Sequence, residues 1–178
     1  MNGRELLIGV SGGIAAYKTA GLVSRLVQSG AAVSVVMTRS ATRLVGPKTF
    51  EALTGRHVAL RMFGHGAHQH IELAARAEVL CVAPATANVL AKAASGLADD
   101  LLSTVLLSFD GPIIMAPAMN TRMWEKPAVQ RNVEQLRADG VVLVGPEEGY
   151  LSCGAEGMGR MASPERIFEV IAGQLERP

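Results

Sequence analysis

The sequence predicts a single-domain, doubly wound parallel α/β sheet with helices on both faces, spanning residues 1–178. Three observations point there: five short apolar runs, helix-period segments alternating with them, and a core composition almost without aromatics. Hydrophobic residues make up 49% of the chain but aromatic ones only 4%. A core of Ala, Val, Leu, Gly and Met suits helices packed on a parallel sheet.

The apolar runs Leu6–Val10, Ala32–Met37, Val79–Ala83, Ile113–Ala116 and Val141–Val144 are rich in Val, Ile and Leu and read as buried strands. The first helix, Ala15–Ser29, closes at Gly30. Pro47–Leu53 opens on proline and closes at Gly55, and Ala85–Ala94 closes at Gly96. Leu101–Ser108 follows the acidic pair Asp99 and Asp100, which can cap it. Pro127–Ala138 opens on proline and closes at Gly140, and a last helix runs from Pro164 to about Leu175. Glycine just past a helix supplies the left-handed cap, and proline is tolerated in the first turn. The segment carrying Gly149, Gly154, Gly157 and Gly159 is too glycine-rich for a helix or strand and reads as a mobile flap. No internal repeat, low-complexity stretch or second domain is apparent.

In flavodoxin/Rossmann-like sheets of this kind the ligand sits outside the carboxyl ends of the strands, where the strand order reverses. The segments following the five runs are Ser11-Gly12-Gly13, Thr38-Arg39-Ser40, Pro84–Asn88, Pro117–Asn120 and Pro146–Cys153. Lys and Arg number 17 against 16 Asp and Glu, scattered without runs, so nothing marks a nucleic-acid or acidic-lipid partner. A small-molecule ligand is expected. The first apolar run is five residues long, short of a signal-peptide core or a membrane span, which predicts a cytoplasmic protein. Cys81 sits inside an apolar run and Cys153 among small residues. Parity allows a disulfide between them, but a cytosolic chain of this size neither needs nor usually keeps one.

Ser11-Gly12-Gly13 opens the first helix directly after a strand, where backbone N–H groups and the helix dipole favour a phosphate; a plain tight turn accounts for the glycines equally well. Neither GxGxxG nor GxxxxGK[ST] is present, which argues against a dinucleotide or nucleoside triphosphate in their usual modes. Thr38 and Ser40 can add hydroxyl donors. Thr86 reads as a helix N-cap or a ligand contact. His65, His68 and His70 lie close together, yet only Glu72 accompanies them and no metal-ligand spacing emerges. His70, ahead of the apolar alternation Ile71 and Leu73, reads as a structural histidine or a general base. Asn120 can cap a turn or hold a substrate carboxylate or amide. Met119, Met123 and Trp124 beside it supply apolar surface, with Trp124 favoured as core. Cys153 lacks the large apolar neighbours of a structural cysteine, which favours a functional thiol.

SGGIAAYK at Ser11–Lys18, HIEL at His70–Leu73, APATAN at Ala83–Asn88, GLADDLLST at Gly96–Thr104, PAMNTRMW at Pro117–Trp124, KPAVQRN at Lys126–Asn132 and SCGAEGMGRM at Ser152–Met161 occur in that order. Together they resemble the homo-oligomeric flavin-containing cysteine decarboxylases, from about Leu6 to about Leu175. Ser152 stands where alanine is common in that family. The resemblance implies an FMN site formed by Ser11, Gly12, Gly13, Thr38, Ser40, Thr86, Ala87, Asn88 and Ala118. It implies His70 as catalytic histidine, Asn120 with Met123 at the substrate, Cys153 as the flap cysteine that returns a proton, and no metal. The implied activity, in the coenzyme A branch of the family, is decarboxylation of 4'-phosphopantothenoylcysteine to 4'-phosphopantetheine. Thiol oxidation to a thioaldehyde provides the electron sink that a plain carboxylate lacks, CO2 leaves an enethiolate, and hydride and proton are then returned. A homotrimer or higher homo-oligomer and a separate phosphopantothenate–cysteine ligase are the implied partners. Peptidyl-cysteine decarboxylases of lantibiotic type carry a PASAN-like motif and lack the cysteine flap. Flavin prenyltransferases lack the His, Asn and Cys set, and non-catalytic flavin-binding regulators carry acidic extensions.

Overall fold

The computed structural model describes residues 1–63, 68–152, 154 and 156–176. Strands β1 (Glu5–Val10), β2 (Ala32–Met37), β3 (Val79–Ala85), β4 (Ile113–Pro117) and β5 (Val142–Leu143) form a parallel sheet in the order β2-β1-β3-β4-β5. Leu6 of β1 stands opposite Val33 of β2 on one side and Val79 of β3 on the other. The chain leaves β1 towards β2 and returns across it to β3, so the order reverses at the β1/β3 boundary. A crevice opens there, outside the carboxyl ends of those strands.

The helices are α1 (Ala16–Gln28), α2 (Pro47–Thr54), α3 (Gln69–Arg76), α4 (Ala87–Ser95), α5 (Leu101–Ser108), the single turn α6 (Thr121–Trp124), α7 (Pro127–Ala138) and α8 (Pro164–Leu175). Strand side chains alternate between two cores, as period two requires. Leu6, Ile8 and Val10 of β1 with Cys81 and Ala83 of β3 face α1, α2 and α8. Leu7, Leu80, Val82 and Met115 face α3, α4, α5 and α7, with Trp124 packed against that second core. The expected helices on both faces are therefore present. Cys81 is fully buried, and burial pushes its thiol up to about 12, so it is a core residue rather than a nucleophile. Among the described residues no helix is long and apolar enough to cross a membrane.

Four elements differ from the sequence expectation. Helix α4 begins at Ala87, because β3 continues through Pro84 and Ala85, the latter paired with Pro117 of β4. β5 is confined to Val142 and Leu143, although Val144 N–H still donates to the Met115 carbonyl. Ile71 and Leu73 belong to helix α3 instead of an alternating segment, and only Ala74 of that helix is buried. The glycine-rich segment carries an antiparallel hairpin, β6 (Glu147–Tyr150) with β7 (Glu156–Arg160), where a flap without secondary structure was expected.

The hairpin's glycines serve close approach. Gly159 has φ +144°, and a Cβ there would lie 2.1 Å from the Met119 carbonyl oxygen. That contact lets Met119 N–H donate to the Gly159 carbonyl at 3.0 Å, so the hairpin is tied to the loop after β4.

Candidate functional site

The turn after β1 is locked to the end of β3. Ser11 is fully buried; its hydroxyl donates to the Pro84 carbonyl at 2.6 Å and accepts from Thr86 N–H at 3.1 Å. A Cβ on Gly12 would fall 2.3 Å from Ser40 Cβ, and one on Gly13 would lie 3.3 Å from Pro84 Cγ. The backbone at Gly12 thus passes against Ser40 in a space no side chain can share. Thr38 Oγ1 accepts from Ala41 N–H at 3.2 Å, at the start of the short 3-10 turn Ala41–Arg43. Thr86 occupies the N-cap position of α4, yet its hydroxyl makes no capping bond and lies 3.3 Å from Ser11 Oγ.

A cavity of about 440 Å³ opens over this turn, a size in the usual range for small-molecule sites. It gathers Gly12 and Gly13 from the β1 turn, Thr86 and Ala87 from the start of α4, and Ala118, Asn120 and Met123 from the segment after β4. Seven of the residues singled out from sequence therefore share one wall. Ser11, Thr38, Ser40, Asn88 and His70 are not on it. Ser11 and Ser40 instead brace the glycine turn from behind. Cys153 lies outside the described residues, while its neighbours Leu151 and Ser152 line the cavity.

Asn120 is the N-cap of α6, its Oδ1 accepting from Arg122 N–H at 2.9 Å. The capping and substrate-binding roles weighed from sequence are thus compatible, because the cap orients a carboxamide that also lines the cavity. His70 sits in the first turn of α3, and its Nδ1 is buried without a hydrogen-bond partner among the described residues. Such an atom is costly to leave unmatched. His68 is the residue before that helix, and His65 lies outside the described residues.

Asp99 and Asp100 take the structural role. Asp100 caps α5 through Ser103 in a reciprocal capping box, and both carboxylates meet Lys92, at 2.5 and 2.6 Å. Burial pushes the Asp100 carboxyl up, but the bonds from Lys92 and Ser103 outweigh it and leave it below its ordinary value.

The sequence reading missed Tyr17, Lys18, Tyr150 and Arg160, all on the cavity wall. Tyr17 and Lys18 lie in the first turn of α1 directly after the glycine turn, so their place at the ligand edge follows from the placement of that turn. Lys18 is half-buried and has no carboxylate partner among the described residues. Arg160 Nη2 lies 3.1 Å from Glu147 Oε2 across the hairpin. The cavity is otherwise walled by Ile14, Ala15, Met119, Leu151 and Met161. An apolar slot with two cations and the N-terminal end of α1 at its rim suits a flat ligand carrying an anionic group.

A family model described as Flavoprotein matches residues 1–176. The coenzyme A biosynthesis bifunctional protein CoaBC of Bacillus subtilis (strain 168) is 48% identical over 173 residues, 96% of this chain and 43% of that protein. The CoaBC protein of Mycobacterium tuberculosis (strain H37Rv) is 44% identical over 175 residues, 98% and 42% respectively. The chain thus spans less than half the length of these curated relatives. A mutant PPC decarboxylase complexed with pantothenoylaminoethenethiol superimposes with a TM-score of 0.88 at 31% identity, covering 99% of this chain and 100% of the other. The FMN-dependent cysteine decarboxylase SpaF gives 0.81 at 40% identity, covering 96% and 97%.

Proposed function

We propose, because the chain belongs to the Flavoprotein family and to its flavin-containing cysteine decarboxylases, that it decarboxylates 4'-phosphopantothenoylcysteine to 4'-phosphopantetheine with FMN. The observation that carries this reading is the cavity at the β1/β3 reversal, where the glycine turn, the Thr86–Ala87 wall and Asn120 converge. FMN fits the residues present. Gly12 leaves bare backbone where a Cβ would collide with Ser40, and the start of α1 favours a phosphate beside it. Gly12 and Gly13 would hold that phosphate, braced by Ser11 and Ser40, while Thr86, Ala87 and Ala118 would hold the remainder. When bound, FMN supplies a reversible acceptor for the hydride equivalent of the substrate thiol.

The protein's own groups do the rest. Asn120 holds the carboxyl or amide end of the substrate with a neutral carboxamide, and Met123 offers apolar surface beside it. His70 moves the proton released as the thiol is oxidised, and Cys153 returns a proton to the enethiolate. His70 is absent from the cavity wall of its own chain and has a buried Nδ1 with no partner among the described residues. Both features support a site completed by a second copy, in a homotrimer or higher homo-oligomer in the cytoplasm. Its substrate is the product of a phosphopantothenate–cysteine ligase activity. Light scattering at micromolar concentration should give a multiple of the 18.7 kDa chain mass. A monomer there contradicts the shared site.

The cofactor assignment is tested by titration. The purified protein should be yellow, or take up added FMN stoichiometrically, with no nicotinamide requirement. Gly12→Ala should weaken FMN binding at least about tenfold while the far-ultraviolet circular dichroism is kept, because the added methyl drives Ser40 away from the turn. A colourless protein that takes up no FMN removes the reading.

A further inference from the structure

We propose that Arg160 binds the phosphate end of the substrate and is the residue by which the cavity selects the phosphorylated compound; this rests on the substrate reading given above. Arg160 reaches the cavity wall from β7, on a different element from the glycine turn. Its guanidinium lies flat on a residue without a side chain: a Cβ on Gly149 would stand 3.2 Å from both Cζ and Nε. Glu147, its cross-strand partner, takes Nη2 at 3.1 Å, and the other Glu147 oxygen accepts from Ser163 N–H at 3.4 Å, just before α8. The guanidinium is therefore held in place through one of its five N–H donors. The remaining fork matches the oxygens of a phosphate.

Chemistry decides which anion it serves. The substrate carries a carboxylate that must depart and a phosphate that takes no part in the reaction. Decarboxylation drains negative charge from the carboxylate, so a cation paired with it stabilises the ground state more than the transition state and slows the step. A neutral amide such as that of Asn120 avoids this. A cation on the remote phosphate stabilises both states alike and lowers KM without opposing the chemistry. The cofactor phosphate already has the bare backbone at Gly12 and the start of α1. Arg160 is left for the substrate phosphate, and its partial exposure keeps the effect moderate.

The test compares 4'-phosphopantothenoylcysteine with its dephosphorylated counterpart, pantothenoylcysteine, on the FMN-loaded protein. Arg160→Met should raise KM for the phosphorylated substrate about tenfold with kcat within about twofold, leaving KM for the dephosphorylated one unchanged. Arg160→Lys should recover part of the preference, because it keeps the charge and loses the fork. FMN affinity, which also reports folding, should be the same in all three proteins. Equal weakening for both substrates, an unchanged KM in both variants, or a loss of FMN affinity overturns the assignment. If the unmutated holoenzyme turns over neither substrate, the decarboxylase reading itself fails and takes this assignment with it. Turnover of both with Arg160→Met silent overturns the role of Arg160 alone.

Discussion

His70→Asn should give a yellow protein in which added substrate no longer bleaches the flavin, the initial rate falling by about a hundredfold or more. An imidazole can take up and release a proton near neutral pH, whereas a carboxamide of similar reach cannot. The position of His70 in the first turn of α3, with Nδ1 buried and unmatched among the described residues, allows substitution without disturbing a hydrogen-bond network of its own chain. FMN affinity should stay within about threefold of the unmutated protein, since His70 does not line the cavity of its own chain. Anaerobic stopped-flow absorbance measures the bleaching directly. Bleaching at the unmutated rate would return His70 to a structural role.

Cys153→Ser should divide the reaction into halves. In the proposed mechanism, oxidation of the substrate thiol and loss of CO2 do not require a proton from this position, whereas protonation of the enethiolate does. A free thiol titrates near about 8.5, and an alcohol is a far weaker acid. The variant should accumulate a decarboxylated thiol lighter than 4'-phosphopantetheine by about 2 Da, with the flavin left bleached until oxygen is admitted. Formation of 4'-phosphopantetheine at an undiminished rate would make Cys153 a loop residue. Complete loss of bleaching would place it in the first half of the reaction.

The sheet and most helices were legible because their signals are local. Pro127 and Gly140 bracket α7, and the acidic pair before Leu101 marks the start of α5. Helix α3 escaped notice because it is only eight residues long and its apolar residues Ile71 and Leu73 stand two apart, the spacing of a strand. The hairpin escaped for a different reason. Gly157 and Gly159 weaken any strand signal, and the need for them arises from Thr121 and Met119, which are distant in sequence. Once the hairpin was missed, Arg160 could not be found, because its place depends on the pairing with Glu147. Ser11 illustrates the same limit within the candidate site. Its sequence context suggests a phosphate donor, but the Pro84 carbonyl and Thr86 amide that occupy its hydroxyl lie more than seventy residues away.

The central claim is tested most directly by the mass of what the unmutated protein makes. Incubated without oxygen with 4'-phosphopantothenoylcysteine, the FMN-loaded enzyme should yield 4'-phosphopantetheine, the substrate less one CO2, with the flavin oxidised again at the end. Substrate recovered intact from a fully loaded protein would contradict the account, as would a product that stops at the enethiol while the flavin stays bleached.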